Sequence, residues 1–452
     1  MFLTAFLLFF NPIKALEIQK KDQNPPRFNT IFARARDQNY TYYDYTNLDC
    51  IVAWGPFEES TKELIKYAHE RNTEVQFLYG DPGVHYLNDS EYRKKKVDEY
   101  VKIVKDWQID GINFDFEGDL RGQAEKDDFV RFLDELKQEF NKLPSAEGSP
   151  EGTSIKLTMD VPWTPGEVWC VGGRCYPAFK ISEVIDYLII MGYDAEEDWW
   201  GRNSYGHATD PYYRMYQGLR EYMDCLQIPP HKLILASPWY SWQMACKPAD
   251  EQEPMSKRPP GREFQCNRYP LPKDREDKDA KHMDFKFIID NFYDFENRCD
   301  AYGNKIIDHY PDQDPANFYH YSEIEDSYYF HSLKVTKNET TDEIIDKTIV
   351  EYWTTALLNN YQPYKNRLQL VIDSGISGSG LWRPDSIRYE DLLDGTNPEL
   401  DDIHRQFSAD MWEVYTSMAE DYKPQIYNPY PWEEYLTSLC RKYIDVYVSP
   451  DP

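Results

Sequence analysis

Basic residues are in short supply in this chain. Its 50 Lys and Arg stand against 79 Asp and Glu, a formal net charge of −29 over 452 residues. A surface this acidic repels phosphate backbones, so a nucleic-acid partner is not expected. Long apolar runs are missing too. The stretch from Phe2 to Phe10 falls well short of the roughly 20 residues a membrane span requires, and no membrane partner is expected. CxxC and HxxxH spacings do not occur, which argues against a zinc site, and no other cofactor is called for. No short repeat is visible, so the chain does not read as a repeat array.

What is present points elsewhere. Hydrophobic residues make up 41%, enough for a sizeable core, and the length allows one large domain or two ordinary ones. Aromatics reach 16%, with 37 Tyr and 12 Trp. Flat amphipathic rings pack well on the C–H-rich faces of sugars, although a plain Tyr bias accounts for the count equally well. The Phe2–Phe10 run has the length of a signal-peptide core, with Ala15 before the cut, which assigns residues 1–15 to a signal peptide. It lacks a preceding Lys or Arg, and a buried N-terminal strand is the alternative. Sequons at Asn39, Asn88 and Asn338 are candidate glycosylation sites. Among the eight cysteines, Cys170 and Cys175 bracket VGGR, and Cys246 and Cys266 flank a charged, Pro-rich loop. Both pairs are disulfide candidates. These features together suggest the secretory pathway, with a lysosomal or extracellular destination, and a monomer.

Along the chain, apolar strand, loop and amphipathic helix recur. Strands are expected around Thr30–Ala33, Asp49–Trp54, Glu74–Gly80, Asp110–Glu117, Ile155–Val161, Ile185–Asp194, Lys232–Tyr240 and Gly378–Trp382. Helices are expected over Thr61–Arg71, Ser90–Trp107, Glu125–Leu143 and Met215–Leu226. Eight βα units make a TIM (β/α)8 barrel of class α/β, here over residues 28–400. The rhythm breaks over 246–340, read as an inserted α+β segment after strand 7. Residues 401–452 read as a C-terminal helix and tail.

The segment DGINFDFE, Asp110 to Glu117, carries the chemistry. Side chains alternate along a strand, so Ile112, Phe114 and Phe116 face the helices while Asn113, Asp115 and Glu117 face the barrel interior. Carboxylates two residues apart on a strand lie roughly 6.5–7 Å apart at Cα and can lean together. Sharing a proton would keep one of them available as a general acid. A pair of rim carboxylates satisfied by Arg or backbone donors is the plainer alternative.

DGINFDFE resembles the DGxxxDxE motif of glycoside hydrolase family 18, with Asp110, Gly111, Asp115 and Glu117 on the pattern. MGYD, Met191 to Asp194, resembles the family's sixth-strand MxYD, and GLWRP places Trp382 where the family keeps a Trp at the end of strand 8. The resemblance implies Glu117 as acid and then base, with the substrate's own acetamido oxygen as nucleophile, an exception to the two-carboxylate scheme. It further implies that Asp115 orients the acetamido N–H, that Tyr193 bonds the acetamido oxygen, and that Trp382 lies beneath the reacting sugar. Asp110, Asn113, Asp160, Met191, Asp194, Trp239 and Tyr240 are the other expected substrate contacts. DGINFDFE, WCVGGRCY and PWYSWQMAC are most similar to a group within the family that splits the GlcNAcβ1-4GlcNAc core of N-linked glycans. Many family members have a third acid at the position of Asn113, so Asp115 is expected to lack a second carboxylate partner here.

These observations lead to an expected glycosidase acting on a β-1,4-linked N-acetylglucosamine oligosaccharide through an oxazolinium intermediate. A secreted chitinase or an endo-β-N-acetylglucosaminidase is the alternative. A non-catalytic chitin-binding lectin is disfavoured, because family lectins usually lose the acid that Glu117 supplies.

Overall fold

The structure, a computed structural model, describes residues 28–165, 174–195, 206–246, 266–267, 282–337, 341, 343–393, 395–417 and 440. The expected signal peptide, Cys170, Asn338 and most of the C-terminal tail lie outside the described residues.

Eight strands close into a parallel barrel: β1 (Thr30–Arg34), β2 (Cys50–Trp54), β3 (Glu74–Tyr79), β4 (Gly111–Phe114), β5 (Lys156–Val161), β6 (Tyr187–Met191), β7 (Leu233–Pro238) and β15 (Gly378–Trp382). β15 pairs with both β7 and β1, which closes the ring. Each crossover helix packs an apolar stripe outside. In α1 (Glu59–His69) that stripe is Leu64, Ile65 and Ala68. In α2 (Ser90–Trp107) it is Val97, Tyr100 and Val104. Asp89 starts α2 by accepting from the Glu91 N–H at 2.8 Å, and Gln108 ends it in the left-handed region at φ 53°. α3 (Gly122–Phe140) buries Phe129, Phe132, Leu133 and Leu136. Phe114 of β4 meets Tyr100 at 5.1 Å and Phe132 at 5.8 Å between ring centroids, so the outward alternation expected for DGINFDFE holds.

The insertion is larger than 246–340. It starts directly after β7 and builds a second, antiparallel sheet: β8 (Tyr240–Cys246), β9 (Cys266–Asn267), β10 (His282–Asp284), β11 (Arg298–Cys299), β12 (His320–Ser322), β13 (Ser327–Lys337) and β14 (Ile344–Thr354). Its main order is β10-β8-β14-β13-β11. The stretch after Thr336 supplies β14 before a helix over Gln362–Ser374. Cys246 and Cys266 pair across β8 and β9 as the expected disulfide, and an unforeseen one joins Cys225 to Cys440. Cys175 is disulfide-bonded as well. The expected C-terminal helix runs over Pro398–Thr416 and packs against the barrel. Its Tyr415 hydroxyl donates to the carbonyl of Thr30 on β1 at 2.8 Å.

Asn88 is exposed just before α2, and Asn39 lies half-buried in a short 3-10 turn. No helix among the described residues is long and apolar enough to cross a membrane.

Phe132 of α3 is fully buried against Tyr100 and Phe114. Phe132→Ala is expected to lower unfolding stability by about 3–5 kcal/mol, since the cavity adds to the lost transfer energy. Urea denaturation measures it, and a loss below about 1 kcal/mol would contradict this placement.

Candidate active site

β4 ends at Phe114, three residues earlier than expected, so Asp115 and Glu117 leave the strand at its C-terminal end. In a barrel of this kind that end is where chemistry is placed. Asn113 is the last inward residue of the strand proper and is fully buried. Its Nδ2 donates to the Thr158 hydroxyl at 3.0 Å and to Asp160 Oδ1 at 3.1 Å, while Thr158 donates to Gln76 at 2.8 Å. A polar chain therefore crosses the interior from β3 through β5 to β4.

The carboxyls above it are graded by burial. Asp160 on β5 is 2% exposed, and burial pushes its carboxyl well up, aided by the charges of Asp115 and Glu117 and opposed by the Asn113 bond. Asp115 is pushed up from 3.8 to about 6, first by burial, then by Glu117, with Arg174 pulling the other way. The Glu117 side chain is half exposed and meets the Arg174 Nη2 at 2.6 Å. The expectation that Asp115 lacks a second carboxylate needs correction. Asn113 removes one on its own strand, but Asp160 supplies one from the neighbouring strand.

Tyr193 follows β6. Burial, then Asp160, Asp115, Asp194 and Glu117, hold its hydroxyl protonated well above its ordinary range, so it remains a donor. Asp194 takes the left-handed region at φ 51°. Its carboxylate accepts from the Tyr240 hydroxyl at 2.9 Å and from the Trp242 indole N–H at 3.0 Å. Tyr240 also meets Tyr193 edge-on at 6.0 Å. Trp382 ends β15 and stacks on Trp54 at 5.0 Å and 18°, capping the interior. Met191 is buried at the end of β6.

Two expected contacts are placed elsewhere. Asp110 precedes β4, at the opposite end of the barrel, and is fully buried. It accepts from the Val75 N–H at 2.7 Å, lies 2.8 Å from His69 Nε2 and bonds Ser149. It staples the barrel floor and cannot reach a sugar at the catalytic face. Gly111 belongs to the same staple: a Cβ there would come within 2.3 Å of the Lys156 carbonyl on β5. Trp239 is fully buried between Trp412 at 5.2 Å and Tyr364 at 6.5 Å, outside the barrel. Alternation explains the error, since residues 239 and 240 face opposite sides while 240 and 242 share one. That same rule would have found Trp242.

The family model described as Glycosyl hydrolases family 18 matches residues 16–386. The chain belongs to glycoside hydrolase family 18. Di-N-acetylchitobiase from Homo sapiens is 25% identical over 236 residues, 52% of this chain and 57% of that protein. The enzyme of the same name from Mus musculus is 27% identical over 49% of this chain and 56% of its own length. The chain thus spans a little over half the length of these curated relatives. Among solved structures, a class V chitinase from Nicotiana tobaccum in complex with NAG4 aligns with TM-score 0.57 and 12% identity, covering 88% of this chain and 100% of its own. A family 18 chitinase from Cycas revoluta in complex with (GlcNAc)4 aligns at 0.54 and 14%, over 85% of this chain and 99% of its own. At these identities the two structures bear on the fold, which they share.

Among the described residues of this family 18 chain, one group of side chains has ligand chemistry: Cys246, Cys266, His331 and Glu351 offer donor atoms within 4.8 Å of one another. The two sulfurs are joined in a disulfide, and His331 faces Glu351 at 3.0 Å. To act as ligands the two cysteines would have to be thiolates, which the closed disulfide does not provide.

Because Asp115 binds its proton more tightly folded than unfolded, its contribution to stability falls as pH rises from 3.8 towards about 6. Asp115→Asn is therefore expected to be more stable than the parent at pH 7, by up to about 2–3 kcal/mol. The gain should vanish below the ordinary carboxylate range. Thermal unfolding at pH 3.5 and pH 7 reads it, and equal gaps at both pH values would refute the assignment.

Proposed function

We propose that the protein is a retaining glycosidase that cleaves β-1,4-linked N-acetylglucosamine, with the chitobiose core of N-linked glycans as substrate. The observation that carries this reading is the graded set of carboxyls at the barrel mouth. Burial pushes the Asp160 carboxyl well up, Asp115 is raised to about 6, and Glu117 is half exposed where a glycosidic oxygen would lie. Glu117 protonates that oxygen and later deprotonates water. Asp115 accepts from the acetamido N–H and faces the positive charge that develops as the acetamido oxygen closes on the anomeric carbon. Tyr193 donates to that oxygen and aligns it. Asp194, fixed by Tyr240 and Trp242, holds a sugar hydroxyl, and Trp382 supplies the flat apolar floor beneath the ring.

A chitinase or endo-acting enzyme is the second reading, since the chain shares its fold with chitinases in complex with (GlcNAc)4 and NAG4. Disulfides of Cys225–Cys440 and Cys246–Cys266 support an oxidising compartment, and we assign the protein to the secretory route as a monomer.

Glu117→Gln is expected to remove turnover on chitobiose by at least about 100-fold while sugar binding persists. Retained turnover would defeat the acid assignment. Asp115→Asn is expected to lower kcat by about 100- to 1,000-fold, the scale of a lost electrostatic stabiliser. Incubation with chitobiose, chitohexaose and an Asn-linked core glycan, read by mass and by anomer, separates the readings. The first product should be the β-anomer, and early α-product would rule out the substrate-assisted route.

A further inference from the structure

The segment that carries Glu117 is gripped by another loop. Arg174 Nη2 lies 2.6 Å from Glu117 Oε1. Two residues on, the buried Tyr176 hydroxyl donates to the carbonyls of Phe116 and Gly118, the second at 3.1 Å. Both neighbours of Glu117 are thus held through the backbone, and the carboxylate through its charge. The Tyr176 ring also packs on Phe116 at 5.7 Å, and Cys175 between the two gripping residues is disulfide-bonded. Such a loop is costly to move, so Arg174 is presented to Glu117 from a fixed support. Its own side chain is only 18% exposed.

A guanidinium in this position cannot be neutral to catalysis. A general acid must carry a proton when the substrate arrives, and an adjacent cation favours the form without it. The groups facing the Glu117 carboxyl are Asp115 on its own segment, Asp160 on β5, Tyr193 after β6, and Tyr176 with Arg174 on the gripping loop. Within that set Arg174 is the cation and opposes the mutual repulsion of the three carboxyls.

We propose that Arg174 is a positioning residue for the general acid, fixing the direction of the Glu117 carboxyl and the pH range over which the carboxyl cluster works. This rests on the reading of Glu117 as the acid. The alkaline limb of the pH profile belongs to the carboxyl cluster as a whole, so removing the cation moves that limb and not only the rate.

The test is the pH dependence of kcat/KM on chitobiose for the parent, Arg174→Gln and Arg174→Lys, with Glu117→Gln alongside. Arg174→Gln is expected to move the alkaline limb to higher pH by about one unit or more, the scale of an opposite charge removed from a carboxyl. Arg174→Lys keeps a charge but loses the fork and some reach, and is expected to move the limb the same way by less. A loss of packing alone would lower activity without moving the limb. Should Arg174→Gln fail to fold, the Lys variant carries the test. Limbs that superimpose on the parent's overturn the proposal. Turnover retained in Glu117→Gln instead overturns the acid reading beneath it, whatever Arg174 does.

Discussion

Holding carboxyls out of water at the mouth of a closed barrel is the constraint on which this site depends. Burial disfavours the charged form, and each further carboxyl nearby adds to the penalty. Asp160, Asp115 and Glu117 meet that penalty in three ways. Asp160 is pushed well up by burial while accepting from the Asn113 amide, Asp115 is raised to about 6, and Glu117 reaches towards solvent and Arg174. The order follows depth. A barrel interior filled by branched apolar side chains alone could not set up such a gradient, and the Gln76–Thr158–Asn113 chain is what allows polar groups there.

The second sheet does more than lengthen the chain between β7 and β15. Its first strand, β8, follows the barrel after one residue and presents Tyr240 and Trp242 to Asp194. The insertion therefore reaches the same face as the carboxyls and anchors a group there. Its attachment is strong. Arg367, 1% exposed, bonds Asp210 at 2.7 Å and Asp326 at 3.2 Å, so one buried guanidinium ties the Gln362–Ser374 helix to the loop before α4 (Tyr212–Arg220) and to the turn ahead of β13. Removing one member of such a buried network leaves charge uncompensated, which is why it acts as a lock.

The barrel was legible because its signal is local. Each strand is an apolar run bounded by turn residues, and each helix shows its period, so all eight strands and the α1, α2 and α3 helices were found within a few residues. The second sheet was much less so, because antiparallel pairing joins residues far apart in sequence, such as Val350 with Ala245. The strand β14 reads as an ordinary mixed segment until its partners are known. The two misplaced site residues have a more local cause. Asp110 belongs to the motif but stands at the opposite end of β4, and Trp239 faces away from its neighbour Tyr240, which bonds Asp194.

The amino-acid order alone determined the alternation of Asn113, Asp115 and Glu117, since a strand's period of two is built into its backbone. It equally determined the βα rhythm that makes a barrel and sets those residues at the C-terminal end of its strands. Only the tertiary structure decided which groups surround the carboxyls. Asp160 arrives from the neighbouring strand, Arg174 from a disulfide-bonded loop, and Trp242 from the second sheet. Charge and burial act through space, and no spacing along one segment records what another segment brings within 3 or 4 Å.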